Sequence, residues 1–125
     1  MSGGDLRRKA GEGYYGNGCY SLRPMNTVKI DSYVLDTLMA DLVGHDRQPS
    51  AFLVYLFLWR RTHGSGETAV QVSLLDITVG TGLSKRSVQE ALRLLAKRCL
   101  LSIRRESITA IPIYEVLRPW VRSVP

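Results

Sequence analysis

The sequence predicts a mixed α+β fold, mainly helical with one small β hairpin, and three observations carry that prediction. Two apolar stretches, Val34 to Leu42 and Ala51 to Trp59, lie in the first half with the density of helices. A third, Leu83 to Leu95, follows a short turn sequence and keeps spacings of three and four. The pattern then changes to alternation in "LLSIRRES" and "ITAIPIYEV", as the strands of a hairpin require.

Residues 1–26 hold six of the eleven glycines and no apolar periodicity, so they are read as a flexible basic arm preceding a domain at 27–125. From Asp31, Val34, Leu35, Leu38, Met39 and Leu42 form one stripe, with Asp31 or Ser32 to cap the helix and Gly44 to end it. After the polar connector "HDRQPS" a second helix runs from Pro49 to about Thr62. Its apolar residues go all the way round, so it is either a central helix within one chain or, with the first helix, part of a subunit contact. Ala69 to Val72 suits a strand, and Ser73 can cap a short helix from Leu74 to Val79. A turn over Gly80 to Leu83 leads to Ser84, the N-cap of a helix from Lys85 to Arg98. The two strands that follow are expected to meet near Glu106 and Ser107, with Ile111 and Ile113 on one face and Pro112 marking an edge. A last helical turn is expected within Leu117 to Arg122.

The chain carries a formal charge of +6, unevenly placed. Residues 1–30 hold five basic and two acidic residues, 31–83 three and six, and 84–125 nine and three. Positive charge gathered at the two ends points to a polyanionic partner, through Coulomb attraction and counterion release. No apolar run approaches the ~20 residues of a membrane helix, the N-terminus lacks a signal-peptide pattern, and the chain is expected to be cytoplasmic. Cys19 and Cys99 are read as free thiols there. His45 and His63 have no Cys or carboxylate at ligand spacing, so no metal or other cofactor is expected.

At about 100° per residue, Val88, Ala91, Leu92, Leu95 and Cys99 centre on one side of the third long helix. Arg86, Glu90, Arg93 and Lys97 lie opposite, flanked by Gln89 and Lys85. Glu90 is one turn from both Arg86 and Arg93 and can bridge them.

The stretch "LLDITVGTGLSKRSVQEALRLLAKRCLL" and the hairpin after it resemble a winged helix-turn-helix domain. "GLSKRSVQEALRLLAKRCLL" is especially similar to the second half of the motif in GntR-type and related bacterial regulators. Leu74, Ile77, Leu83, Val88, Leu92 and Leu95 supply the helix crossing, and Gly82 the turn. Two residues depart from the pattern: Thr78 stands where such motifs usually have alanine, and Gly80 is costly by ~1 kcal/mol if it is helical. The resemblance implies duplex DNA as partner, with helix 85–98 in the major groove and a wing at 101–116. Arg86, Gln89 and Arg93 then suit base edges, while Ser84, Lys85, Ser87 and Lys97 suit phosphates. Arg104 and Arg105 lie in the wing, and Arg7, Arg8 and Lys9 form a basic cluster that either follows the adjacent groove or is a solvated tail.

An enzyme is not expected. Asp36 and Asp41 diverge on a helix, no serine has a nearby histidine, and "GEGYYGNG" lacks the Lys-Ser or Lys-Thr of a phosphate loop. The expected function is sequence-specific DNA binding by a small transcriptional regulator, homodimeric through helices 31–43 and 49–62. A plasmid or phage replication or partition protein is the alternative within DNA binding. A winged-helix module that binds only protein is the alternative outside it.

Overall fold

The chain enters its first helix through Asp31, whose carbonyl accepts the amide of Val34 at 3.0 Å. A computed structural model describes residues 27–121, so the predicted arm, Cys19 and Arg122 lie outside the described residues. The helix is π-helical over Val34–Leu38 and again over Ala40–His45, and the amides that close these two segments, of Met39 and Asp46, bond the fifth carbonyl back, of Val34 and Asp41. Its apolar residues divide: Val34, Leu38 and Leu42 are buried, whereas Leu35, Met39 and Val43 are 46%, 41% and 39% exposed. The wider turn aligns residues four apart and rotates their successors outward, so the single stripe expected here is two. Among the described residues no side-chain bond caps the first π segment at Tyr33. Asp31, the expected cap, instead accepts Arg118 Nη1 at 3.3 Å and Trp120 Nε1 at 3.0 Å. Gly44 does not stop the helix; the chain turns at Arg47, which takes the left-handed φ of 54°.

Helix α1, Pro49–Arg61, begins with proline, whose missing amide hydrogen has no partner to lose in a first turn. It is the centre of the core. Ala51, Phe52, Val54, Tyr55, Leu58 and Trp59 are buried, Leu56 and Phe57 are half-buried, and Leu53 alone of its large apolar residues is exposed. One chain therefore covers almost the whole circumference that the sequence left open between a monomer core and a subunit contact. The polar atoms of its aromatic residues reach outward: Tyr55 Oη donates to the Leu117 carbonyl at 2.9 Å and Trp59 Nε1 to that of Lys29 at 2.8 Å.

A three-residue strand β1, Ala69–Gln71, leads to helix α2, Leu74–Thr81, and helix α3, Lys85–Lys97. Strands β2, Leu101–Arg104, and β3, Ile113–Val116, complete an antiparallel sheet in the order β1-β3-β2. The register pairs Val70 with Tyr114 and Leu101 with Val116, which turns these side chains toward the helices. Ile113 lies on the other face, together with Arg104 across the ladder.

Three features differ from what the sequence predicts. Pro112 does not mark an edge: β3 is the central strand, and the proline precedes it, so no ladder amide is lost. The strands do not meet near Glu106 and Ser107, because pairing ends at Arg104 opposite Ile113 and residues 105–112 form a longer loop. The C-terminal segment has only a turn, closed by the Val121 amide on the Arg118 carbonyl at 2.9 Å, because Leu117 still pairs with Leu100 at 3.0 Å. Among the described residues the architecture is α+β, and no helix is long and apolar enough to cross a membrane.

Candidate nucleic-acid interface

Two adjacent helices with local caps position the candidate residues. Ser73 starts α2 through a reciprocal pair: its Oγ accepts the Asp76 amide at 3.1 Å, and Asp76 accepts the Ser73 amide at 3.3 Å. α2 runs on to Thr81, past the predicted end, and Gly82 then adopts a φ of 78° that a Cβ would penalise. Gly80 is thus helical rather than part of the turn. Its lack of a side chain makes room for Phe57, because a Cβ there would meet Phe57 Cδ1 at 2.8 Å and Cζ at 3.0 Å, and Cε1 closer still. Thr78, half-buried, has its hydroxyl satisfied by the Leu75 carbonyl at 2.7 Å, which lets a polar residue occupy this position.

Ser84 caps α3 as expected, accepting the Ser87 amide at 3.1 Å, and the two hydroxyls lie 3.0 Å apart. Val88, Ala91, Leu92 and Leu95 are buried, in contact with the helices before them. This fixes the opposite side outward. Lys85, Arg86, Gln89, Glu90, Arg93 and Lys97 are all exposed on it. Arg86 Nε donates to Glu90 Oε2 at 3.3 Å, and the bridge to Arg93 is not made. Arg86 is 87% exposed, so this pair contributes little and can open without a large penalty. Among the described residues, Lys85, Arg93 and Lys97 have no carboxylate partner.

Arg104 and Arg105 form a second group, on the hairpin. Arg104 is exposed at the end of β2 on the outer face of the sheet. Arg105 is also exposed, but Nη1 lies 3.5 Å from both the Ile108 and Ala110 carbonyls, so part of its donor capacity shapes the loop. The α3 residues are thus brought together on one helix face, while the two arginines lie at the end of β2 and in the loop after it.

Sequence reasoning did not single out Arg98. Its guanidinium lies 3.6 Å from Asp41 and 3.5 Å from Asp46, tying the end of α3 to the first helix. No local pattern signals such a long-range pairing. Near it, Tyr33, Leu38, Asp41, Arg98, Leu100 and Trp120 help to line a cleft of about 330 Å³, with Tyr33 stacked on Trp120 at 4.7 Å. Among the described residues no cluster of His, Cys, Asp or Glu is arranged to hold a metal.

Comparison with protein-family models, with curated proteins and with solved structures gives no match for this chain.

Proposed function

We propose that this protein binds double-stranded DNA, with α3 as the recognition helix of a winged helix-turn-helix domain and the 101–116 hairpin as the wing. One observation carries the reading: Lys85, Arg86, Arg93 and Lys97 are presented together on the outward face of a helix whose start and opposite face are both fixed. Fixed geometry matters because side chains held on a rigid element lose little further freedom on binding. In this reading Arg86 and Arg93 reach base edges, with Gln89 beside them, and Lys85, Lys97 and the Ser84–Ser87 cap meet phosphates. Glu90 restrains Arg86 in the free protein and must release it, or share it, in the complex.

The biological role that fits is a small transcriptional regulator, with replication or partition of a plasmid or phage as the neighbouring alternative. A homodimer through the first helix is supported by its exposed row of Leu35, Met39 and Val43, with α1 contributing only Leu53. The same row, with Leu75 and Val79 exposed on α2, favours the second reading, a module that binds protein alone.

Fluorescence-anisotropy titration of the full chain with a random ~25-base-pair duplex decides between them, since phosphate contacts make affinity fall with salt. Contact by the four α3 cations with two to four phosphates gives a log–log slope of roughly −2 to −4. Absence of binding at low salt by the folded protein rejects the DNA reading. A parallel sizing run reports the dimer.

A further inference from the structure

The cleft where the first helix, the end of α3 and the C-terminal segment meet has the parts of a small-molecule site. Its volume of about 330 Å³ suits a compact organic ligand. Tyr33 and Trp120 both line it, their rings stacked at 4.7 Å with 16° between the planes. Trp120 is fixed at its edge as well, because Nε1 donates to Asp31 at 3.0 Å. Buried Leu38 and Leu100 add apolar surface, and Asp41 and Arg98 supply the charges. The aromatic wall is thus held in place before any ligand arrives, which lowers the ordering cost of binding.

The balance of charge decides what kind of ligand fits. Arg98 stands 3.6 Å from Asp41 and 3.5 Å from Asp46, so these three groups together carry one negative charge in excess. Asp46 Oδ2 is buried and has no hydrogen-bond partner among the described residues, which keeps Arg98 drawn toward it and away from full pairing with Asp41. The other Asp46 oxygen accepts His45 Nδ1 at 3.0 Å. Asp31 is balanced by Arg118 at 3.3 Å. Asp41, with its side chain 42% exposed, is therefore the carboxylate left to meet a ligand. A metal ion fits poorly, since a single carboxylate lines the cleft and hard cations take several oxygen ligands. An organic cation is more weakly hydrated, and it gains from the electron-rich ring faces and from the carboxylate together.

We propose that this cleft binds a small organic cation of the arylalkyl-ammonium class, with its charge held between the Tyr33–Trp120 wall and the Asp41 carboxylate. Nothing in this rests on the DNA reading of α3. The preference also opposes the net charge of +6, which draws anions to the protein in general. Selection of a cation over an anion of the same size therefore separates a built cleft from unspecific attraction.

The test titrates the full chain with benzyltrimethylammonium and, in parallel, with benzyl alcohol and phenylacetate, which keep the ring and change the charge. Two-dimensional NMR follows the indole N–H signals of the two tryptophans, Trp59 and Trp120, with Trp120→Phe to assign them. The expected result is a saturable shift of the Trp120 signal by the ammonium ion, with a Kd on the order of 1 mM for so small a ligand. The alcohol and phenylacetate bind at least about three-fold more weakly. Asp41→Asn and Tyr33→Leu each weaken the ammonium ion by about three- to thirty-fold, with thermal melting as the folding control. Equal affinity for the three probes, or tighter phenylacetate, overturns the proposal on the original chain alone, whatever the variants do. Failure of the ammonium ion to shift Trp120 by ~10 mM overturns it, and so does binding that survives both substitutions unchanged.

Discussion

Replacing Gly80 by alanine is normally expected to stabilise a helix, by ~1 kcal/mol through reduced chain entropy. In this protein that gain is cancelled or reversed. The new methyl group enters the space of the Phe57 ring, with Cδ1 at 2.8 Å, Cζ at 3.0 Å and Cε1 nearer than both. The ring must move as a whole, and it is half-buried between the helices with the Arg61 guanidinium 4.9 Å from its centroid. Overpacking of this kind costs about 1–3 kcal/mol. Against the propensity gain, Gly80→Ala is therefore neutral to destabilising, by up to ~2 kcal/mol, or a fall in melting temperature of up to roughly 8 °C. A double-mutant cycle isolates the cause. In a Phe57→Ala background the clash is gone, so Gly80→Ala recovers its ~1 kcal/mol gain, and the coupling between the sites is about 1–3 kcal/mol. Urea or thermal denaturation of the four proteins measures all of this. A stabilisation of the original chain by the full propensity value, with no coupling to residue 57, would refute the reasoning.

Duplex affinity supplies a second set of expectations. Arg86→Ala and Arg93→Ala each weaken binding by ~1–3 kcal/mol if the contact is bidentate to a base, and unchanged anisotropy titrations for both remove α3 as the recognition helix. Glu90→Gln acts in the opposite direction: freeing Arg86 from its 3.3 Å partner and removing a negative charge tightens binding and steepens its salt dependence. Ser84→Ala removes the acceptor of the Ser87 amide and lowers stability by about 1 kcal/mol, read from the denaturation midpoint. Tyr55 gives a pH signature. Burial, assisted by the Asp31 charge and opposed by Arg118, raises its pKa well above the ordinary value of 10.0. The neutral phenol is therefore favoured in the fold, and this stabilisation is complete below pH ~10 and declines as the pH rises toward the raised value. Tyr55→Phe, which also loses the bond to the Leu117 carbonyl, is less stable near neutrality but shows a shallower decline between about pH 9 and about pH 11. Tyr114, also raised by burial, leaves part of the decline in place.

Legibility followed locality. α2 and α3 were readable because their signals lie within a few residues: Ser73 and Ser84 as caps, Gly82 in the turn, and an apolar face repeating through Val88, Leu92 and Leu95. The outward placement of Arg86 and Arg93 follows from that same face and needs no knowledge of the rest of the fold. The first helix was legible as a helix but not in its winding, since residues four apart share a side in either geometry and only hydrogen bonding separates them. Strand order was not legible. Whether Pro112 interrupts a ladder or merely precedes one depends on where β1 pairs, and β1 lies on the other side of two helices in sequence. Arg98 and Gly80 were opaque for the same reason, their partners Asp41, Asp46 and Phe57 being distant in the chain. Arg105 read as a cation for a ligand, whereas its donors are partly turned inward to carbonyls that composition does not reveal.

The order β1-β3-β2 also bears on how the protein is made. The strand that holds the sheet together is the last of the three to leave the ribosome, so β1 and β2 both wait with open edges until Ile113–Val116 arrives. The helices, closed by near neighbours, need no such delay. Synthesis therefore yields a nascent helical body first and a sheet only at the end, and chains interrupted before residue 113 expose two unpaired strands of the kind that seeds aggregation.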